Sequence, residues 1–246
     1  MRIVDAHCHL LPLIDDGPGG WDEAEALLGR LAVSLGSGSL CFASPHVRFS
    51  ACAAQSSPVH ARMDEYTAVV EKAAGGMRVG LAPEILLDAL SPVPPELSFM
   101  CYPGTNRLLV ELPPRLPGMI AVLMLGRLAR RGFSLMLAHP ERYRFAQRRS
   151  SAVVSLASAG IALQISLRSL RSPLSAVRLT AERLLRDGLC HVLASDCHHP
   201  GDAMLTECRG EIDTLSGRGS WDILCRTNPS AVVEGGRPVL LREALP

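Results

Sequence analysis

The tightest constraint on this chain is the pentapeptide Asp5-Ala6-His7-Cys8-His9, which closes a short apolar run (Ile3, Val4) and leads into Leu10-Leu11-Pro12-Leu13-Ile14-Asp15-Asp16-Gly17. Alternate side chains of an extended strand share a face, so His7 and His9 project together, as two imidazoles on one metal ion require. A chain that opens this way has to bring further ligands to the end of that strand.

Downstream, strand-like and helical stretches alternate. Residues 21–35 have helical spacing (Ala24, Leu27, Leu28, Leu31, Leu35) closed by Gly36. Residues 39–44 read as a strand delivering Pro45-His46, and 59–74 as a second helix. Strand-like runs follow at 78–87 with Glu84, 107–112 with Glu111, 134–138 before His139, 160–165, and 190–194 before Asp196 and His198. Helices are expected at 117–131, 150–159 and 174–186, and a helical tail at 202–216 and 221–233. Alternation of this kind predicts an α/β fold with a mostly parallel sheet, and seven such strands suggest a barrel. With 246 residues, 48% of them hydrophobic, and no linker-like stretch, the whole chain is expected to form a single domain.

The candidate ligands occupy the same place in successive units. His7 and His9, His46, Glu84, Glu111, His139, and Asp196 with His198 all fall at or just after strand ends, which in a parallel barrel form one rim. Of eight histidines, five sit at such ends; His60 lies in a helix, His191 in a strand, and His199 beside the better-placed His198. Glu84 and Glu111 lie in apolar strands, where an unpaired carboxylate costs several kcal/mol unless neutralised, which favours a metal role. Asp5 is expected to orient a histidine, and spacing alone does not choose between Asp15 and Asp16. Mixed imidazoles and carboxylates suit Mn²⁺, Zn²⁺ or Fe²⁺, and about nine ligands imply two or three ions.

Composition excludes other classes. A formal net charge of +1 gives no electrostatic case for nucleic acid or an anionic membrane. The eight cysteines form no C-x-x-C pair and read as free thiols of a reducing compartment. Without a leader-like or membrane-spanning run, the expected location is the cytoplasm.

The segments D-A-H-C-H-L-L-P-L-I-D-D-G-P, A-S-P-H-V, P-E-I, L-V-E-L, A-H-P-E-R-Y and A-S-D-C-H together resemble the polymerase-and-histidinol-phosphatase (PHP) superfamily. Within it they are similar to the manganese-dependent protein-tyrosine phosphatases encoded with bacterial capsule and exopolysaccharide genes. The resemblance runs in order from Asp5 to about His198. It implies a distorted TIM-like (β/α)7 barrel carrying a three-ion site with His7, His9, Asp16, His46, Glu84, Glu111, His139, Asp196 and His198 as ligands, favouring Asp16 over Asp15. Arg142 is then expected to bind the substrate phosphate, with Arg48 as a second candidate, and Arg144, Arg148 and Arg149 as a solvated face. The implied partner is the phosphotyrosine tail of a bacterial tyrosine autokinase. The chain departs from the family's pattern at Pro83, at Ser166 where asparagine is usual, and after His198, where some members carry a phosphate-binding arginine.

The expected reaction is phosphomonoester hydrolysis by a metal-activated water, with no phospho-enzyme. Three rivals compete. Cys101 to Arg107 fits C-x-x-G-x-x-R, the phosphate loop of cysteine-dependent phosphatases, but is followed by a strand where that chemistry needs a helix N-terminus. A two-metal amidohydrolase needs a carboxylated lysine at a strand end, and the only lysine, Lys72, falls in a predicted helix. Histidinol-phosphate-like small-molecule hydrolysis lies within the same superfamily.

Overall fold

Short parallel strands form the spine of the computed structural model, which describes residues 1–88, 92–149 and 151–245. In chain order they are β1 (Val4–Cys8), β2 (Leu40–Ala43), β3 (His46–Arg48), β4 (Arg78–Leu81), β5 (Glu84–Leu86), β6 (Arg107–Glu111), β7 (Ser134–Ala138), β8 (Ala162–Ser166) and β9 (Val192–Ala194). The helices are α1 (Trp21–Leu35), α2 (Cys52–Ala73), α3 (Gly118–Ala129), α4 (Arg144–Gln147), α5 (Ala152–Ser158), α6 (Leu167–Arg171), α7 (Ala176–Arg186), α8 (Arg209–Ser216), α9 (Ser220–Asp222), α10 (Asn228–Val233) and α11 (Leu241–Ala244).

The α/β class with parallel pairing is as expected, but the structure shows no closed barrel. Its ladders divide into a three-stranded sheet, β1-β2-β4, and a six-stranded one, β3-β5-β6-β7-β8-β9. The division falls at Ser44-Pro45, at the end of the expected strand 39–44, and at Ala82-Pro83, inside the expected strand 78–87, because a proline cannot donate to a ladder. Isolated backbone bonds bridge the gaps, from Ala82 N–H to Ala43 O (2.9 Å) and Glu84 N–H to Pro45 O (3.0 Å). Between β9 and β1 there is no ladder either. Two bonds beyond the end of β9 join them, Asp196 N–H to His7 O (2.9 Å) and His9 N–H to Cys197 O (2.8 Å).

The outward positions of β6, β7 and β8 (Leu108, Val110, Leu135, Leu137, Leu163, Ile165) pack in one buried cluster with Leu27, Leu28 and Leu31 of α1, Leu125 of α3 and Leu184 and Leu185 of α7. Each leucine so buried contributes roughly 2 kcal/mol. The opposite positions, Leu109, Met136, Ala162 and Val192, form a smaller cluster with Phe42 and Tyr102. Period two carries that inner face onward to Glu111, Ser166 and Asp196, so polar side chains gather where the apolar plug ends.

Most helices lie where the spacing places them. α2 begins seven residues earlier than the predicted 59, since Pro58 forgoes one backbone bond while Ala53 and Ala54 favour helix. α6 was not foreseen. Of the stretch 150–159, Ser150 lies outside the described residues. Asn228, the first residue of α10, is also a buried clamp: its amide donates to His191 O (2.8 Å) and Val239 O (2.7 Å) and accepts from Val239 N–H (3.1 Å).

His191 sits just before β9, its Nδ1 accepting the Leu163 N–H at 3.0 Å. Burial, then the charge of Arg107, pushes its pKa from 6.5 down to about 4. The unfolded chain therefore takes up a proton as pH falls through 6.5 that the folded chain refuses until about pH 4, and stability is lost across that window. In urea titrations the stability gap between wild type and His191→Leu is expected to narrow from pH 7.5 to pH 5; a constant gap rejects this assignment.

Candidate metal centre

The strand ends and the loops after them converge on one buried carboxylate. Glu84, the first residue of β5, is fully buried. Its Oε1 lies 2.8 Å from His139 Nε2, and its Oε2 lies 3.0 Å from His46 Nδ1, 3.4 Å from His7 Nε2 and 3.7 Å from His9 Nε2. None of these nitrogens meets Oε2 in hydrogen-bond geometry, so that oxygen is buried without a partner. An oxygen surrounded by imidazole nitrogens yet bonded to none is placed as a cation-bridging ligand would be.

The remaining candidates surround Glu84. Asp196 Oδ1 is 3.6 Å from His7 Nε2 and 3.7 Å from His9 Nε2. Glu111 reaches His139 at 3.8 Å and His46 at 4.0 Å. Asp16 Oδ1 stands 3.3 Å from both His46 Nε2 and His198 Nε2. Three overlapping groups thus have ligand atoms close enough for one ion each: His7, His9 and Glu84; His46, Glu84 and Glu111; and His9, Asp16, His46 and His198. All nine candidate ligands are brought together, and the donor set fits divalent ions of intermediate hardness.

Several supporting contacts were not legible beforehand. Asp15 orients rather than joins the group: it accepts from His9 Nδ1–H (2.7 Å), Gly17 N–H (2.9 Å) and His46 N–H (3.0 Å). Gly17 lets the turn close, since a Cβ there would lie 3.1 Å from His9 Cβ and 3.2 Å from His9 O. Gln164, on the inner face of β8, lies with Oε1 3.0 Å from His7 Nδ1, and Ser166 Oγ–H donates to Asp196 Oδ2 at 2.9 Å. Asp5 does not orient a histidine side chain, contrary to expectation; its Oδ1 accepts the Ser195 N–H (3.0 Å), tying β1 to the exit of β9. His139 and Asp196 adopt left-handed backbone (φ 32° and 55°), a cost of order 1–3 kcal/mol each that concentrates at functional positions.

Electrostatics point the same way. Burial opposes charge on Glu84, yet the imidazoles of His7 and His139 hold its pKa well below the ordinary carboxylate range. Burial likewise disfavours protonated His7, but Glu84 and Asp196 outweigh it and raise its pKa to about 10. The cluster thus draws in positive charge, which protons supply when cations do not.

An open cleft of about 520 Å³ lies over the cluster, lined by Asp16, His46, Glu111, Asp196 and His198 and by three arginines, Arg48, Arg142 and Arg168. Arg142, just after His139, bonds through Nη2 to Asp196 Oδ2. Arg48 is largely exposed and lies 3.6 Å from Asp88. Arg144, Arg148 and Arg149 are exposed, as expected of a solvated face.

The rival loop has none of this. Cys101 is buried, and burial pushes its thiol up to about 11. Arg107 turns away to Gly236 O (2.7 Å). Lys72 is exposed and paired with Glu25 at 2.8 Å.

Known proteins resemble this chain in sequence and in fold. A family model for capsular polysaccharide synthesis, CpsB/CapC, matches residues 3–234. The chain is 28% identical over 202 residues to the tyrosine-protein phosphatase YwqE of Bacillus subtilis, covering 80% of this chain and 78% of that protein. Its fold is similar to a chain from the crystal structures of YwqE from Bacillus subtilis and CpsB from Streptococcus pneumoniae, described as unique metal-dependent tyrosine phosphatases: TM-score 0.78, 22% identity, 96% of this chain and 99% of that one. A more distant likeness in fold, TM-score 0.58 at 13% identity over 94% of this chain and 89% of the other, is to a chain of archaeal ribonuclease P with mature tRNA.

Proposed function

Because this chain belongs to the CpsB/CapC family of capsular polysaccharide synthesis, we propose that it is a metal-dependent protein-tyrosine phosphatase. The observation that carries this reading is Glu84, a buried carboxylate with an unpartnered oxygen among four histidines, opening onto an arginine-lined cleft. The ligands are His7, His9, Asp16, His46, Glu84, Glu111, His139, Asp196 and His198, and the ions are two or three Mn²⁺, with Fe or Zn as substitutes. The substrate is the phosphotyrosine tail of a tyrosine autokinase that controls polysaccharide export, and the reaction takes place in the cytoplasm. No helix among the described residues is long and apolar enough to cross a membrane.

When bound, the divalent ions supply a nucleophilic water at neutral pH and neutralise charge on the phosphoryl oxygens. The chain's own residues do the rest. Arg142 keeps one guanidinium nitrogen on Asp196 and turns its remaining N–H groups to the phosphate, a charge-assisted contact that strengthens as charge redistributes. Asp15 and Gln164 hold His9 and His7 in orientation, which keeps the ligand geometry fixed during turnover. Tyrosinate departs readily, so the site needs no strong general acid.

A cysteine mechanism would put the nucleophile on Cys101, so Cys101→Ser separates the two chemistries. Hydrolysis of p-nitrophenyl phosphate is expected to stay within about twofold of wild type, since the contribution of a buried thiol is to packing alone. Loss of activity in that variant would move the site to the Cys101 turn. Family membership favours the protein substrate over a histidinol-phosphate-like one.

A further inference from the structure

We propose that the second phosphate-binding cation of this cleft is Arg168, supplied by the start of α6 directly after β8. The inference rests on the phosphatase reading and names a residue of that same site.

A phosphate monoester arrives as a dianion, and one arm of Arg142 is already committed to Asp196. A second cation has to come from another element. The loop after β9 has none to offer between His198 and Met204. Its acid faces inward instead, Asp202 Oδ2 accepting from His198 N–H (2.7 Å) and His199 N–H (3.1 Å). Arg48 lines the cleft, but Asp88 stands beside its guanidinium.

Arg168 differs from both. Its guanidinium lines the cleft, and among the described residues no carboxylate lies within 4.0 Å of it. Among the described residues its single side-chain neighbour in hydrogen-bond range is His198 Nδ1, 3.0 Å from Nη1. That contact does not satisfy it. His198 Nδ1 also lies 2.8 Å from the backbone oxygen of Asp196, and a carbonyl oxygen only accepts, so the proton belongs on Nδ1 and the lone pair on Nε2, the atom facing Asp16. The Nη1 of Arg168 therefore meets an N–H rather than an acceptor. A charged donor held against another donor at the mouth of a metal site is available to an incoming anion.

Its position is well fixed. Ser166 ends β8 with its hydroxyl on Asp196, and the Arg168 N–H points to Ser195 O at 3.4 Å. Arg142 and Arg168 thus approach the cleft from consecutive strand ends, β7 and β8.

The test measures inorganic phosphate binding to manganese-loaded protein by calorimetry, with bound manganese per chain and phosphotyrosine-peptide kinetics beside it. Arg168→Ala is expected to raise the phosphate Kd about tenfold to a hundredfold with manganese content unchanged, the scale of a lost charge-assisted pair. Arg168→Lys should recover part of the loss, and Arg48→Ala should shift Kd by less than about threefold. An unchanged Kd in Arg168→Ala overturns the proposal, and so does a loss of manganese in that variant, which would make Arg168 a support for His198. Arg168-dependent phosphate binding in a wild type that does not cleave the peptide would refute the reaction while upholding the anion site.

Discussion

Glu84→Gln is expected to abolish phosphatase activity, lowering kcat/KM by at least about 10³-fold, equivalent to about 4 kcal/mol of transition-state stabilisation. The substitution keeps the shape of the side chain and removes its charge. Glu84 is the one residue shared by the His7–His9 group and the His46–Glu111 group, so its loss weakens two ion positions together. Its carboxylate is also what balances His7 and His139; with glutamine there, His7 keeps Asp196 but loses the carboxylate that raises its pKa most. Elemental analysis of the purified variant should show manganese per chain falling with activity. Full metal content with full activity would remove Glu84 from the centre of the account.

Arg142→Ala is the second large effect, with kcat/KM falling by roughly 10²–10³-fold, the range seen when a preorganised charge stabiliser is deleted. Two roles are lost. On the proposed reading the guanidinium contacts the phosphate, and it also balances Asp196, whose second support, Ser166, remains. Manganese content is therefore expected to be largely retained while kcat falls. Arg142→Lys should recover little, because a point charge cannot bond Asp196 and a phosphate oxygen in the same plane. A variant that loses all its metal would assign Arg142 to the ion site, and one with wild-type kinetics would free it from the reaction.

Much of this site was legible in the chain. The spacing of Leu27, Leu28, Leu31 and Leu35 with Gly36 defines α1, and all the strands that follow except the one at 160–165 deliver a histidine or carboxylate at or near their ends, so scattered residues converge by topology. Closure was less legible. Pro45 and Pro83 were in plain view, but whether a proline interrupts a strand or merely bends it depends on the neighbouring strands' donors, and here both split the ladder. Second-sphere roles were the hardest to read. Asp15 and Asp16 are adjacent and chemically alike, and only the turn at Gly17 sends one to His9 and the other between His46 and His198. Arg168 carried no signal in a chain where arginine supplies every basic side chain but Lys72; its meaning comes from His198, thirty residues away.

The most direct test of the central claim is hydrolysis of a phosphotyrosine peptide by chelator-stripped protein, before and after Mn²⁺ is returned. The account predicts negligible turnover without metal and recovery that tracks the manganese bound per chain. Turnover indifferent to chelation would contradict it.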